Sequence, residues 1–208
     1  PATERAGVGG IGDAPLAETP QSISVIRAET LRDLGAGSLS AAMRAESSAG
    51  DFYNTVGYIE AVQLRGFRLD NELNYRRDGL RISNHAPLAL ENKAAIEVLK
   101  GVSGLQSGLS TPGGLINYVL KRPTEAPLRE VFLGLSERGT ALVHGDFGGR
   151  LGEDRRFGCR VNVSAEERRP EARNAPGDRR FVSGYFDLRL PGNALLEAEI
   201  EHHRVRQR

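Results

Sequence analysis

Apolar and polar side chains alternate along three long segments in the C-terminal part of the chain. These segments are REVFLGLSE (129–137), FGCRVNVSAEE (157–167) and ALLEAEIEHH (194–203). Because successive side chains of a strand point to opposite faces, a period of two predicts strands with one apolar face. Alternating segments of about ten residues joined by short turns are typical of an antiparallel barrel, although a soluble β-sandwich gives the same pattern.

The stretch GLSTPGGLINYVLKRP (108–123) raises a separate question. A Pro-Gly-Gly turn directly precedes an apolar run that predicts a buried strand, and the run stops at Lys121-Arg122-Pro123. Three interpretations are open: a phosphate-binding loop, an ordinary hairpin, or a structural hinge. Pro123 and Pro127 lie close together and predict a domain boundary near residue 124.

Shorter elements are predicted in the first 121 residues. SISVIR (22–27) alternates like a half-buried strand, and AETLRDLG (28–35) predicts a two-turn helix with Gly35 at its C′ position. Ser38 is expected to cap a second short helix. Strands are also predicted in AVQLRGF (61–67), in YRRDGLRI (75–82) with a turn at Asp78-Gly79, in AAIEVLKG (94–101) and in GLINYVLK (114–121).

Composition excludes several classes of protein. The chain has 28 Lys and Arg against 27 Asp and Glu, so no overall basic charge favours binding to nucleic acid. No apolar run reaches the roughly 20 residues of a membrane-spanning helix. The single cysteine, Cys159, cannot form an internal disulfide and is expected to be a small apolar filler.

The sequence gives little support for a resident metal or for catalysis. His202 and His203 are adjacent in a predicted strand, so they point to opposite faces and cannot share one ion. The glycine-rich stretch before residue 114 lacks a Walker lysine and leads into a strand instead of a helix. A hydrolase using Asp78 or Glu97 is the weakest alternative, and we expect no enzymatic activity.

Five motifs occur in an order and spacing that identify a family. They are TPQSISVI (19–26), LRGF (64–67), RDGLR (77–81), IEVLKG (96–101) and PGGLINYVLKRP (112–123). Together they resemble the plug domain of TonB-dependent outer-membrane receptors, and most closely the ferric-siderophore branch. The alternating segments that follow are similar to the first strands of that family's barrel.

The resemblance implies an α+β plug domain, a mixed sheet with short helices, over residues 13–124. A flexible lead-in at 1–12 precedes it, and residues 125–208 are expected to form antiparallel strands of an incomplete transmembrane β-barrel. Receptors of this kind close with about 22 strands and about five are predicted here, so we expect an internal piece of a larger receptor. The TonB box of the family is not recognisable in PATERAGVGG (1–10).

The implied function is binding of a ferric siderophore or similar metal chelate, and gating of its energy-coupled uptake into the periplasm. The expected location is the outer membrane of a Gram-negative bacterium. No cofactor is implied, since the iron arrives inside its chelator. The expected partners are the chelate, outer-membrane lipid and a TonB-type coupling protein that binds a segment outside this sequence. A receptor for haem, cobalamin or saccharide and a soluble β-rich binding module are the alternatives.

The resemblance also assigns candidate site residues. Ligand contacts are expected in the loop RISNHAPLALE (81–91), because the equivalent plug loops of the family reach toward the ligand. Arg81 offers charge-assisted hydrogen bonds to an anionic chelate. The other ligand candidates in this loop are Ser83, Asn84, His85 and Glu91.

Two further structural roles follow from the family. Arg65, Lys100 and Arg122 are expected to contact the barrel wall. The Gly113-Gly114 turn is expected to let the last plug strand pack close to its sheet, where a Cβ would collide.

Overall fold

The computed structural model describes residues 21–55, 59–101, 109–136, 139–169 and 176–207. The chain divides into two compact units, residues 1–120 and 121–208. This division falls after Leu120, whereas the prolines predict a domain boundary near residue 124. Among the described residues, no helix is long and apolar enough to cross a membrane.

The first unit contains eight described strands and two short helices. They are β1 (Ser22–Arg27), α1 (Ala28–Asp33), α2 (Leu39–Met43), β2 (Ala49–Thr55), β3 (Ile59–Leu64), β4 (Phe67–Arg68), β5 (Tyr75–Arg77), β6 (Leu80–Arg81), β7 (Lys93–Lys100) and β8 (Gly114–Leu120). Five of the strands form a sheet in the order β1–β7–β8–β5–β6. β7 is antiparallel to both of its neighbours, while β5 runs parallel to β8. The predicted mixed sheet with short helices is confirmed.

The core of this unit lies between the two helices and one face of the sheet. Ile96 and Val98 on β7 and Ile116 and Tyr118 on β8 are fully buried. They belong to one cluster with buried apolar side chains of the helices, which are Leu31, Leu39, Ala42 and Met43. Burying one large apolar side chain stabilises a fold by about 1.5–3 kcal/mol, so this layer holds helices too short to persist alone.

Local signals in the sequence place the helix ends correctly. Gly35 follows α1 with φ of 58°, a left-handed conformation that glycine adopts without steric cost. The Ser38 hydroxyl accepts a hydrogen bond from the backbone N–H of Ala41 at 3.2 Å and so caps α2. The predicted C′ glycine and the predicted cap are both confirmed.

A second, three-stranded sheet with the order β2–β3–β4 differs from the sequence prediction. The predicted strand at 61–67 is a hairpin, because Arg65 and Gly66 have φ of 50° and 81° and turn the chain back. Strand β2 has no counterpart in the prediction. Its register shifts between Asp51 and Tyr53, and this bulge interrupts the two-residue alternation that would have revealed it.

The second unit is one antiparallel sheet of five strands. They are β9 (Leu128–Leu135), β10 (Ala141–Leu151), β11 (Phe157–Arg168), β12 (Gly177–Arg189) and β13 (Leu195–Gln207). Each strand pairs with the next along the chain, and β9 and β13 are the two edge strands. The predicted antiparallel strands of an unclosed barrel are confirmed, although glycines in β10 hid that strand from the sequence analysis. The segment at 168–180 is rich in Arg, Pro, Asn, Gly and Asp, a composition that predicts a longer loop than the structure has, since β12 begins at Gly177; its residues 170–175 lie outside the described part of the chain.

The burial of the two faces of this sheet is the reverse of that in a soluble domain, since the apolar face is exposed and the polar face is buried. On one face, large apolar side chains are exposed, among them Leu133 at 74%, Leu135 at 82% and Ile200 at 69%. On the other, polar side chains such as Asp146 and Asn162 are at most 3% exposed. A soluble β-sandwich buries its apolar face, so this arrangement fits a lipid-facing wall better than a water-soluble module.

We predict that residues 128–208 do not fold alone in water. The outer strands β9 and β13 have unpaired backbone groups among the described residues, and the exposed apolar face invites aggregation. The plug, whose core is covered by helices, is expected to be the more autonomous part. Limited proteolysis checks this prediction, and digestion of residues 13–124 with survival of the C-terminal part would contradict it.

The turn before β8 brings two backbones into direct contact. Gly114 has φ of 128°, and a Cβ added there would lie 1.9 Å from the carbonyl oxygen of Leu99. Real Cβ atoms do not approach an oxygen so closely, so glycine is required for β8 to pair with β7 at this position. The glycine turn therefore has the structural role expected of it.

Candidate functional site

The loop predicted to bind ligand, residues 81–91, starts from a hairpin fixed to strand β8. Its turn residues Asp78 and Gly79 have φ of 47° and 81°, as type I′ turns require. The Asp78 carboxylate accepts a hydrogen bond from the backbone N–H of Leu120 at 3.0 Å. The backbone N–H of Gly79 donates to the side-chain oxygen of Asn117 at 2.9 Å. These contacts give the loop a rigid base.

Asn84 ties the middle of the loop to the rest of the plug. Its backbone N–H donates to the backbone carbonyl oxygen of Asn71 at 2.9 Å. Its side-chain amide donates to the backbone carbonyl oxygen of Glu60 at 3.3 Å. Asn84 is only 3% exposed. Asn84 is expected from the sequence to contact the ligand, whereas in the structure its amide has a partner inside the protein. It positions the loop and does not present its side chain to solvent.

Ser83 and His85 are exposed in the middle of the loop, and both contact Glu72. The Ser83 hydroxyl donates to Glu72 Oε1 at 3.2 Å, and His85 Nε2 lies 2.6 Å from the same oxygen. The side chains of His85 and Glu72 are 61% and 60% exposed. Sequence reasoning missed Glu72, because the contact joins two loops and only the polar turn LDNELN (69–74) could have indicated it.

Arg81 and Glu91 lie at the two ends of the loop. Arg81 is exposed, and it lies directly opposite Arg76 in the pairing of strands β5 and β6. Burial lowers the pKa of the Arg76 guanidinium, and the positive charge of Arg81 lowers this pKa further. Glu91 is half-buried at the other end. The start of the loop is therefore a place where cations concentrate and where an anion would be stabilised.

Asn74 connects the loop at 69–74 to the turn before β8. Its side-chain oxygen accepts hydrogen bonds from the backbone N–H groups of Asp70 at 2.9 Å and of Thr111 at 3.4 Å. Its amide donates to the carbonyl oxygen of Gly114 at 2.5 Å. Asn74 is completely buried, so the loop that carries Glu72 is held by a residue of the core.

Lys100, which is expected to contact the barrel wall, has an acidic partner inside its own unit. Its ammonium lies 3.2 Å from both carboxylate oxygens of Glu46, and the two side chains are 15% and 5% exposed. Burial raises the pKa of Glu46, but hydrogen bonds from Ser24, Ser48 and Lys100 outweigh it and lower the pKa to about 2. Glu46 is therefore ionised at neutral pH and balances the charge of Lys100.

Arg65 and Arg122, the other two residues expected at the wall, lie in different units. Arg65 is exposed at the β3–β4 turn beside Gly101, the residue that follows Lys100. Arg122 belongs to the second unit, where its guanidinium lies 3.2 Å from Glu197 and 4.3 Å from the ring centroid of Tyr185. The contacts of Arg122 are thus with strands β12 and β13.

A protein-bound metal centre finds no support in the described ranges. Within them, no group of three or more His, Cys, Asp or Glu side chains is placed to hold a metal ion. His202 is exposed, while His203 is half-buried and packs edge-on against Phe181. The side chains of the two histidines point to opposite faces of β13, as adjacent residues of a strand do.

Comparison with known proteins gives a family match that lies within the first unit. Residues 15–115 match the family described as the TonB-dependent Receptor Plug Domain. The chain is 31% identical over 115 residues to the catecholate siderophore receptor Fiu of Escherichia coli (strain K12), which covers 52% of this chain and 15% of that protein. It is 27% identical over 188 residues to the ferrichrome outer membrane transporter/phage receptor of the same strain, covering 85% of this chain and 24% of that protein.

A solved structure extends the likeness in fold over both units. The ferripyoverdine receptor of the outer membrane of Pseudomonas aeruginosa, bound to ferripyoverdine, matches with a TM-score of 0.86 and 22% sequence identity. The match covers 96% of this chain and 27% of that structure. The chain thus spans about a quarter or less of the length of these relatives.

Proposed function

We propose that the chain is part of a TonB-dependent receptor, with residues 15–115 in its plug domain, and that this receptor binds a ferric siderophore and gates its uptake. The outer membrane of a Gram-negative bacterium is the proposed location. The observation that carries the proposal is the match of the plug to this family, a family of receptors and transporters and not of enzymes. The exposed apolar face of the β9–β13 sheet supports it against the soluble binding module.

The relatives favour iron chelates over the other ligands that such receptors transport. Those compared above are named for a catecholate siderophore, for ferrichrome and for ferripyoverdine. We therefore propose a ferric siderophore as the ligand, with haem, cobalamin or saccharide as the alternatives within the family. The iron would arrive inside its chelator, so the protein needs to recognise the outside of the chelate and supplies no metal ligands of its own.

We propose the exposed side chains of the loop at 81–91 as ligand contacts. Arg81 would donate charge-assisted hydrogen bonds to an anionic chelate. Ser83, His85 and Glu91 would add further polar contacts, and Asn84 would hold the loop in place. Pro87 restricts the backbone, which reduces the entropy lost when the loop is ordered on binding.

Gating requires the plug to rearrange in response to a second partner. We propose that a TonB-type coupling protein binds by strand addition to a segment outside the described residues, and that the resulting force displaces part of the plug. The glycine turn at Gly114 and the buried Glu46–Lys100 pair would hold the resting plug together. Outer-membrane lipid would contact the apolar face of the second unit.

We predict that Arg81→Ala and His85→Ala each weaken binding of the ferric siderophore by the receptor. Loss of one charge-assisted hydrogen bond costs about 1.5–3 kcal/mol, which raises the dissociation constant roughly 10- to 150-fold. Titration of the purified receptor, followed by quenching of protein fluorescence, measures the effect. Arg44→Ala is the matched control, since Arg44 is exposed at the C-cap of α2 and outside the loop. Parental affinity in both loop variants would place the ligand contacts elsewhere.

Uptake of radioactive iron by cells tests the proposed function as a whole. Cells that produce the receptor are expected to accumulate iron from the ferric siderophore, and deletion of the gene should abolish this accumulation. A protonophore should stop uptake and leave binding at the cell surface intact, because only transport depends on energy. Equal accumulation in the presence and absence of the gene would contradict the proposal.

A further inference from the structure

The segment at 121–125 lies against the polar face of the β9–β13 sheet, and it is here called the anchor segment. We infer that it is a fixed part of the barrel wall and stays in place while the plug rearranges during uptake. This inference rests on the proposed function for the rearrangement itself. It assigns the anchor segment to the static part of the receptor, so that motion is confined to residues before 121.

The first attachment is a buried cluster around Asp146. Its carboxylate is 2.7 Å from the ammonium of Lys121 and accepts two hydrogen bonds from the Arg160 guanidinium, at 2.6 and 2.8 Å. Asp146 is 3% exposed and the Lys121 side chain 13%. Arg160 also donates to the carbonyl oxygen of Arg122 at 3.3 Å. Pulling Lys121 away would break its ion pair with the buried Asp146 carboxylate, which is strongly unfavourable.

A second attachment lies at the other end of the anchor segment. Arg150, whose side chain is 4% exposed, donates two hydrogen bonds to Asp187 at 2.7 and 3.0 Å and one to Glu125 at 2.9 Å. Arg189 and Arg155 also donate to Glu125, to its carboxylate and its backbone carbonyl respectively. Glu125 itself is exposed. The sheet and its β10–β11 turn therefore hold this end through a backbone contact as well as through charge.

Between these ends, Arg122 is held by a third set of contacts. Its guanidinium lies over the ring of Tyr185 and 3.2 Å from Glu197. The Tyr185 hydroxyl donates to the same carboxylate oxygen of Glu197 at 2.6 Å. The anchor segment is thus attached to the second unit at Lys121, at Arg122 and at Glu125. A force that pulls on the segment would be shared among these three sets of contacts.

Two glycines of the sheet, Gly148 and Gly158, also let the anchor segment pack close to the strands. A Cβ added at Gly158 would lie 2.8 Å from the Cβ of Pro123, and one added at Gly148 would lie 3.2 Å from the Thr124 hydroxyl. Both glycines lie on the polar face, where the lack of a side chain leaves room for the segment to pack close to the strands. Close packing against backbone, together with three sets of charged contacts, distinguishes this segment from a loose linker.

A disulfide between the anchor segment and the sheet tests the inference. In a disulfide each Sγ lies about 3 Å from the opposite Cβ, and the Thr124 hydroxyl already occupies such a position relative to Gly148. Thr124→Cys with Gly148→Cys, in a Cys159→Ser background, would lock the segment in the oxidised receptor. We expect oxidised and reduced cells to take up the ferric siderophore equally. Loss of uptake on oxidation and recovery on reduction would overturn the inference.

Two companion variants make the result interpretable. Thr124→Cys alone, in the same Cys159→Ser background, shows whether substitution and oxidation without a cross-link affect uptake, and it is expected to transport the siderophore in both states. Arg27→Cys with Ala95→Cys joins directly paired residues of β1 and β7 within the plug, and its oxidation is expected to stop uptake. Normal uptake through that cross-linked plug would show that the plug does not rearrange, which contradicts the proposed gating and this inference with it. Failure of uptake in the parent protein would instead reject the proposed function.

Discussion

Replacement of Gly114 by alanine is expected to destabilise the plug by about 3–5 kcal/mol. Two effects add up. The φ of 128° is strained for any residue with a Cβ, and the new methyl group would lie 1.9 Å from the carbonyl oxygen of Leu99. Neither backbone can move without breaking the pairing of β7 and β8. Hydrogen exchange of peptides from these strands measures the effect, because it reports the free energy of local opening.

Gly79→Ala separates the two causes. Gly79 also has a positive φ, 81°, but a Cβ added there would meet nothing within 4 Å. This control is expected to cost only the conformational strain, about 1 kcal/mol. Equal effects of the two substitutions, or normal exchange in the Gly114 variant, would show that the close approach to Leu99 is not what requires glycine.

Substitution of Glu46 by glutamine is expected to remove about 3 kcal/mol of stability at neutral pH. The folded protein holds the pKa of Glu46 at about 2, against an ordinary value of 4.5. A carboxyl whose pKa is depressed on folding stabilises the native state above its unfolded pKa. That stabilisation is lost as the pH falls from 4.5 to about 2. The amide keeps the shape of the side chain but leaves Lys100 without its charged partner.

Urea unfolding at a series of pH values distinguishes this effect from a loss of packing. Parental stability should fall steeply between pH 4.5 and about 2, and this part of the fall should be absent in the Glu46→Gln variant. Glu72→Gln is the control, since Glu72 is 60% exposed and its pairing with His85 is expected to contribute little. Parallel pH curves for the parent and the Glu46 variant would contradict the role given to this ion pair.

Features set by neighbours in sequence could be predicted from the sequence. The turn at Asp78-Gly79, the cap at Ser38 and the C′ glycine Gly35 each need only a few adjacent residues, and the structure contains all three. Long strands of the second unit were also predictable, because apolar side chains recur at every second position from Phe157 to Ala165 in β11 and from Leu196 to Ile200 in β13.

Features that depend on distant residues could not be predicted. The partner of Lys100 is Glu46, which lies 54 positions earlier in the chain. Likewise, the burial of Asn84 depends on a carbonyl group 24 positions away, that of Glu60. An asparagine in a polar loop gives no local sign that its amide is buried. The bulge in β2 was equally hidden, since an extra residue reverses the alternation on which strand prediction relies.

Equilibrium binding of a ligand panel to the purified receptor tests the central claim most directly. The panel contains ferric catecholate and ferric hydroxamate siderophores, their iron-free forms, haem, cobalamin and a maltodextrin. We expect tight binding of at least one ferric siderophore, weaker binding of its iron-free form, and no binding of the other three ligand types. Preferential binding of haem, cobalamin or maltodextrin, or binding of none of the panel, would contradict the assignment of this chain to siderophore uptake.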